Sequence, residues 1–269
     1  MREIKINRLN TKKQTIKQQT DYVAEEKALH IYLNKRHYGT ILCSPNQQKE
    51  MVLGHLLGEG VLTSTDEIEK LTIKKGGILT LKPNIDATQR ISLSQRFSRR
   101  IVSACGSPDY RPISEIVESI PKLKFNLKVN SKVIYQSVTN LNQVSENFKT
   151  TGGVHAAALY SKDGKLLFLA EDVGRHNAVD KVIGAGALNQ VAFSQCFLAL
   201  SGRLTGDLVL KAARMKIQIV ASLAAAISSG LDVAEITGVT LVGFARDNRM
   251  NVYTYPERID LTKNRPLMT

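Results

Sequence analysis

Short apolar runs alternate with polar, glycine-bearing turns along most of this chain. The clearest case begins at Val154. An apolar run (Val154 to Tyr160), a Lys162-Asp163-Gly164-Lys165 turn and a second run (Leu166 to Ala170) predict a β-hairpin. The pattern then turns abruptly polar, through Glu171, Asp172, Gly174, Arg175, His176, Asn177, Asp180 and Lys181. Ala178, Val179, Val182 and Ile183 fall at helical spacing, so 174–183 predicts passage from strand to helix. A helix N-terminus offers free N–H groups and partial positive charge, which suits phosphate or carboxylate. The carboxyl ends of strands are where open α/β sheets hold ligands. The same residues also suit a salt-bridged turn on a helix start, and composition does not separate the two readings.

On either side the alternation predicts further elements. Residues 21–42 read as two strands around a turn at Asn34 to Arg36. Ser44-Pro45 then predicts a helix start, with Ser at the N-cap and Pro at the first helical position; Met51, Val52, Leu56 and Leu57 form its apolar stripe and Gly60 its stop. His55 and Glu59, at i and i+4 on that helix, predict a surface hydrogen-bonded pair, with a metal pair as the alternative. Lys70 to Lys75, Gly76-Gly77 and Ile78 to Lys82 predict a hairpin. Pro112 to Lys124 and Val138 to Phe148 predict helices, separated by a basic stretch without clear period. Beyond the central stretch come a strand (Cys196 to Leu200), a helix (Leu208 to Lys216), a strand (Ile217 to Ser222), a helix capped at Ser228 or Ser229 and stopped by Gly238, and strands Val239 to Phe244 and Asn251 to Tyr255. Strands alternating with helices imply a sheet covered on both faces. The polar clusters at Glu171 to His176, Ser201 to Asp207 and Arg246 to Arg249 should then gather along one edge.

Charge changes this picture. The net charge of +13 points to polyanionic partners. Part of it lies in residues 1–18, which lack interleaved aromatics and predict a solvated, mobile arm. No apolar run approaches ~20 residues, so no membrane span is expected, and the N-terminus lacks a secretory signal pattern. Three widely spaced cysteines (Cys43, Cys105, Cys196) exclude a Cys-x-x-Cys zinc site or a disulfide framework and fit a reducing cytoplasm. Cys43 and Cys196 read as buried apolar residues. Cys105 is different: Arg90, Arg96, Arg99, Arg100 and Arg111 surround it in sequence, and Gly106 and Pro108 demand a loop. A thiolate in such a setting is stabilised, which suits a nucleophilic or sulfur-carrying role. Its alternative is a small buried apolar residue.

At this point the residues resemble the formate dehydrogenase accessory sulfurtransferases, the FdhD family. The resemblance covers about residues 20–260 and rests on Ser44-Pro45 with the helix after it, Ala104-Cys105-Gly106, TGGVHAAAL from Thr151, EDVGRHNAVDKVIG from Glu171, SGRLTGDLVLKAAR from Ser201 and TLVGFARDNRMNVYTYPERI from Thr240. It implies an α/β fold with a larger C-terminal three-layer α/β/α sandwich resembling cytidine deaminases (residues 126–269), a smaller N-terminal α+β domain (19–125) containing the Cys105 loop, and a basic tail (1–18). It implies a cytoplasmic sulfurtransferase, usually a homodimer. A cysteine desulfurase supplies sulfur as a persulfide on Cys105. The acceptor is a molybdenum (or tungsten) bis-guanine-dinucleotide pterin cofactor, bound for the catalytic subunit of formate dehydrogenase. The cofactor-binding segment of the family matches Phe244, Ala245, Arg246, Asp247, Asn248 and Arg249; Arg175, His176, Ser201, Gly202 and Arg203 would join it on the same edge. Zinc-dependent deamination is argued against, because Ala156-Ala157 follow His155 and no Pro-Cys-x-x-Cys occurs. The chain departs from the family at Pro108, where many members have a second cysteine, at Ala224 to Ile227, where Ser-Ala-Pro-Thr is usual, and at Gly206 and Asp207, where serine and glutamate are usual. Two other functions stay in view: a cofactor chaperone without sulfur transfer, and, from charge alone, a nucleic-acid binder. The second is disfavoured because the arginines cluster with glycines and carboxylates instead of forming a stripe.

Overall fold

The computed structural model describes residues 1–73, 76–92 and 120–261. Its first part contains β1 (Arg2–Asn10), β2 (Thr15–Val23), β3 (Lys27–Leu33), β4 (Arg36–Cys43), α1 (Gln48–Gly58), β5 (Ile68–Thr72) and β6 (Gly77–Leu81). The rest contains β7 (Val129–Asn130), α2 (Ser131–Thr139), α3 (Leu141–Val144), α4 (Glu146–Thr151), β8 (His155–Ser161), β9 (Leu166–Asp172), α5 (Arg175–Leu188), β10 (Cys196–Leu200), α6 (Gly206–Arg214), β11 (Ile219–Ser222), α7 (Ser228–Thr237), β12 (Thr240–Arg246), β13 (Arg249–Val252) and β14 (Ile259–Asp260). Among the described residues no helix is long and apolar enough to cross a membrane. Cys105, Arg96, Arg99, Arg100, Arg111 and most of the helix expected from Pro112 lie outside the described residues.

The larger sheet has the order β13-β12-β11-β10-β8-β9. β10, β11 and β12 run parallel, and β8 is antiparallel to both β10 and β9. Strands β9 to β12 therefore all end at one edge, where β8 begins. Side chains alternate between the two faces, as the pleat requires. Leu159, Leu198, Val220 and Leu241 pack beneath α5, α6 and α7. Tyr160, Phe197, Ile219 and Val242 pack with Ile134, Val138 and Leu141 of α2 and α3. The result is the expected three-layer α/β/α arrangement. A four-stranded sheet, β4-β3-β6-β5, joins the first core through α1.

Two glycines set how α1 meets α5. A Cβ on Gly54 would stand 1.6 Å from the Asp180 carbonyl oxygen, and one on Gly184 would stand 1.9 Å from that of Glu50. The two backbones touch because neither residue has a side chain. Around this crossing lie buried charges, each held by partners from distant sequence. Lys181, fully buried, meets Asp172 at 2.7 Å and also donates to Asn46 Oδ1 and the Ser44 carbonyl. Lys211 spans Asp180 and Glu59, and His55 Nδ1 reaches Asp180 Oδ2 at 3.1 Å. Burial opposes ionisation of Asp180, but Lys211 and His55 outweigh it and hold the carboxyl below its ordinary range.

Several sequence expectations are corrected here. The first helix starts at Gln48, not at Ser44-Pro45, after Gln47 in a left-handed conformation. The Ser44 hydroxyl accepts from the Val173 N–H and its own N–H donates to Asp172, so a long-range partner replaces the cap. His55 and Glu59 do not pair with each other at the surface, because Asp180 and Lys211 claim them. The helix expected over 138–148 begins earlier, with Asn130 capping Lys132, and breaks into three short segments. Neither Ser228 nor Ser229 caps α7 with its side chain; the Ser229 hydroxyl instead accepts from Gly206 N–H. Residues 1–18, expected as a solvated, mobile arm, lie largely in the antiparallel β1–β2 hairpin, whose cross-strand pairing extends from Arg2 with Val23 to Asn10 with Thr15 and whose side chains are mostly exposed.

Candidate functional site

The polar stretch after β9 divides into two kinds of residue. Most of its charges build the fold. Glu171 accepts from the backbone N–H groups of Asn147 and Phe148 and so fixes the start of α4. Asp172 accepts from Gly174 N–H and Asn177 Nδ2 as well as pairing with Lys181. Asp180 and Lys181 are spent on the helix crossing. Arg175 and His176 remain, at the N-terminus of α5, where Gly174 provides no side-chain cap.

Arg175 faces the loop after β10. A Cβ on Gly202 would lie 3.0 Å from Arg175 Cβ and 3.6 Å from His155 Nδ1, so the absent side chain lets this loop sit against both residues. The buried Nε of Arg175 has no hydrogen-bond partner among the described residues. Ser201 Oγ accepts from Ala156 N–H at 2.9 Å and lies 3.4 Å from His155 Nδ1. Burial first, then Arg175, pushes the His155 imidazole below its ordinary pKa and favours the neutral ring. His176 Nε2 meets Asp207 Oδ2 at 2.7 Å. Asp207 is disfavoured as an anion by burial, yet His176 and the Thr205 hydroxyl hold its carboxyl far below the usual range. Arg203 is exposed.

The last part of the edge is the β12–β13 turn. Asp247 and Asn248 both have positive φ, the backbone of a tight hairpin turn. Phe244 also sits at φ 52, where a bulky side chain is a true outlier, and the register shifts between Gly243 and Arg246. Its N–H donates to the Ala224 carbonyl. The Arg246 guanidinium lies 5.6 Å from the Phe244 ring centre, within cation–π range. Asn248 N–H donates to Tyr135 OH, which ties the turn to α2. Ala245 turns its methyl into the core, while Arg246, Asp247, Asn248 and Arg249 are exposed.

The structure thus brings Arg175, His176, Ser201, Gly202 and Arg203 together. It connects them to Phe244 through the segment after β11: Ser222 Oγ donates to the Gly202 carbonyl and accepts from Ala224 N–H. Among the described residues no carboxylate pairs with Arg175, Arg203 or Arg249. The edge is therefore an array of cations and backbone N–H groups that can accept phosphate-rich ligands. A cleft of about 400 Å³ opens beside His155, lined also by Asn142, Phe148, Val173, Ser201 and Leu223. Sequence reasoning missed Asn142 and Phe148; the only signal nearby was the Gly152-Gly153 break before His155. Cys43 and Cys196 are buried, and burial pushes each thiol up to about 11.

The family model for the FdhD/NarQ family matches residues 24–260. A protein of Sulfurisphaera tokodaii named "Sulfur carrier protein FdhD" is 33% identical over 263 residues, covering 96% of this chain and 99% of the relative. A protein of the same name from Bacillus subtilis is 33% identical over 242 residues, covering 89% and 90%. Among solved structures, a protein from Desulfotalea psychrophila described as "a putative formate dehydrogenase accessory protein" matches with a TM-score of 0.73 and 28% identity, over 96% of this chain and 98% of that one.

Proposed function

Since the chain belongs to the FdhD/NarQ family, we propose that it is a sulfur carrier serving formate dehydrogenase. In the first step the Cys105 thiolate attacks the terminal sulfur of a persulfide on a cysteine desulfurase. The sulfur–sulfur bond of that persulfide breaks, and the desulfurase cysteine leaves as a thiolate with the electron pair. Cys105 then carries the persulfide, and this exchange needs no outside oxidant or reductant. The arginines near Cys105 in sequence would stabilise its thiolate before attack and after sulfur departs. The sulfur acceptor is the metal of a molybdenum or tungsten bis-guanine-dinucleotide pterin, held as substrate until it passes to the dehydrogenase catalytic subunit. The Cys105 sulfur–sulfur bond would break, Cys105 would leave as a thiolate with the bonding pair, and a metal in its reduced state would supply the two electrons that bring the transferred sulfur to the sulfide level.

The observation that carries the cofactor half of this reading is the cationic edge. Arg175, Arg203 and Arg249 stand without carboxylate partners among the described residues, and they share that edge with a strained Phe244–Arg246 pair. Strain of this kind persists where the surroundings over-determine it, and it gathers at ligand sites. A pyrophosphate would supply the missing negative charge. The other two cysteines suit the sulfur half less well, since Cys43 and Cys196 are walled in and held as thiols.

Pro108 in place of a second cysteine favours one alternative, a chaperone that carries the finished cofactor without transferring sulfur. Genetic complementation separates the two. In cells lacking the native gene, Cys105→Ala should abolish formate dehydrogenase activity while the purified variant keeps its fold and its GDP binding. Full activation by the variant would refute sulfur transfer and leave the chaperone.

A further inference from the structure

The β1–β2 hairpin forms a sheet of its own. With nine residues in each strand it makes a ribbon about 30 Å long. Near its base Ile4, Ile6 and Val23 are half-buried, but every residue from Asn7 to Gln18 is exposed, so the outer part has water on both faces. A two-stranded hairpin with neither face covered is marginally stable. Leu9 and Ile16, directly opposite each other in the ladder, are 65% and 66% exposed. Arg8, Lys12, Lys13 and Lys17 lie around this apolar pair, and residues 7–18 contain no carboxylate. Arg8 reaches Asp21 at 3.3 Å; among the described residues Lys12, Lys13 and Lys17 pair with no carboxylate. The base of the hairpin borders the candidate site. Ala24 follows β2 directly, and a Cβ on Gly153 would stand 3.1 Å from Ala24 Cβ. Gly153 in turn lines the cleft beside His155. We propose that this hairpin is the docking arm for the protein that receives the cofactor, and that it engages an acidic surface with an apolar centre on that protein. The assignment rests on the cofactor-binding half of the proposed function.

Chemistry and position select this occupant. An apolar pair inside a ring of cations has the anatomy of a protein interface, with a hydrophobic centre and a polar rim. A nucleic-acid backbone would draw the lysines and leave Leu9 and Ile16 bare. Lysines also guard bare strand edges against self-association, but guarding does not call for two exposed apolar side chains facing each other. A second copy of this chain matches poorly, because the chain carries +13 and the buried carboxylates Asp172 and Asp180 are spent on Lys181 and Lys211. Among protein partners position decides. Whatever takes a cofactor from the cationic edge must approach that edge, and the hairpin base borders it. The hairpin also lies outside residues 24–260, the span of the family model, as an element serving one partner would. Its tip is formed in advance: Asn10 Oδ1 accepts from the N–H groups of Lys12 and Lys13, at 3.1 and 3.0 Å, and Gln14 takes a left-handed turn conformation at φ 48. A preset backbone lowers the ordering cost of binding.

The test measures binding of the full chain to the purified, cofactor-free catalytic subunit of formate dehydrogenase from the same organism, by biolayer interferometry at low and high salt. Lys12→Glu combined with Lys13→Glu is confined to the exposed turn. It should weaken binding about tenfold at low salt, mainly through slower association, because rim charges set the encounter rate, and the loss should shrink at high salt. Leu9→Thr combined with Ile16→Thr keeps β-branched strand formers and should speed dissociation about tenfold. Both double variants should keep wild-type GDP affinity, since neither touches the cationic edge. Wild-type affinity for the dehydrogenase in both variants would overturn the docking arm. So would unchanged dehydrogenase binding beside a loss of self-association in sedimentation velocity, which would assign the arm to a second copy, or beside a loss of binding to duplex RNA, which would assign it to nucleic acid. Failure of the cofactor reading looks different: the wild-type chain itself would bind no GDP, and the docking arm would fall with that reading.

Discussion

Phe244 gives the sharpest prediction, because its backbone and its side chain pull in opposite directions. A left-handed conformation costs an L-residue roughly 1–2 kcal/mol, and Phe244 adopts it at φ 52. Replacement by alanine keeps that cost and removes a half-buried ring, whose burial contributes about 1 kcal/mol. Replacement by glycine removes the same ring and also releases the strain. The glycine variant should therefore be more stable than the alanine variant by about 1 kcal/mol and close to wild type. For a chain of this size that difference is roughly 2–4 °C in Tm, measurable by circular dichroism melting or by urea midpoints at pH 7. Both variants should bind GDP more weakly, since each removes the ring that lies 5.6 Å from the Arg246 guanidinium. At an ordinary strand position the order reverses, with glycine about 0.5–1 kcal/mol below alanine. That reversed order would show that Phe244 is not strained and would withdraw the strain argument from the site.

The other predictions concern titration. With thiols raised to about 11, Cys43 and Cys196 are only about 0.1% thiolate at pH 8, so brief iodoacetamide treatment of the folded chain should alkylate Cys105 alone; comparable labelling of Cys43 or Cys196, read by peptide mass, would contradict their burial. Asp207 has a depressed folded pKa, so its contribution to stability is fully present above the unfolded value of about 4 and is lost as pH falls through the folded value. The stability difference between wild type and Asp207→Asn should therefore shrink below about pH 4, and a difference that grows on acidification would refute the His176–Asp207 assignment.

Local pattern revealed the elements whose ends are set locally. The hairpin over 154–170, the passage into α5 and the run from β10 to β12 all appear where apolar spacing placed them. The meeting of the polar clusters on one edge was also legible, because parallel strands must end together. What failed were positions governed by partners far away in sequence. Ser44-Pro45 carries the signature of a helix start, yet Asp172, 128 residues away, takes the Ser44 N–H. His55 and Glu59 have the spacing of a helical pair, but Asp180 and Lys211 separate them. Gly54 and Gly184 look like weak points in helices until the two backbones are seen to touch. For the polar motif from Glu171 to Lys181 composition left a ligand site and a salt-bridged turn both open; burial shows that Glu171, Asp172, Asp180 and Lys181 hold the fold, leaving Arg175 at the edge beside a His176 paired with Asp207. Phe148 escaped notice since nothing in its own neighbourhood distinguishes a cleft wall from a helix face.

The sulfur-carrying role of Cys105 is tested most directly by its mass after the purified chain is incubated with a cysteine desulfurase and free cysteine. The account predicts a Cys105 peptide heavier by one sulfur atom, reversible with a thiol reductant, and unmodified peptides for Cys43 and Cys196. A Cys105 peptide of unchanged mass beside a demonstrably active desulfurase would contradict it.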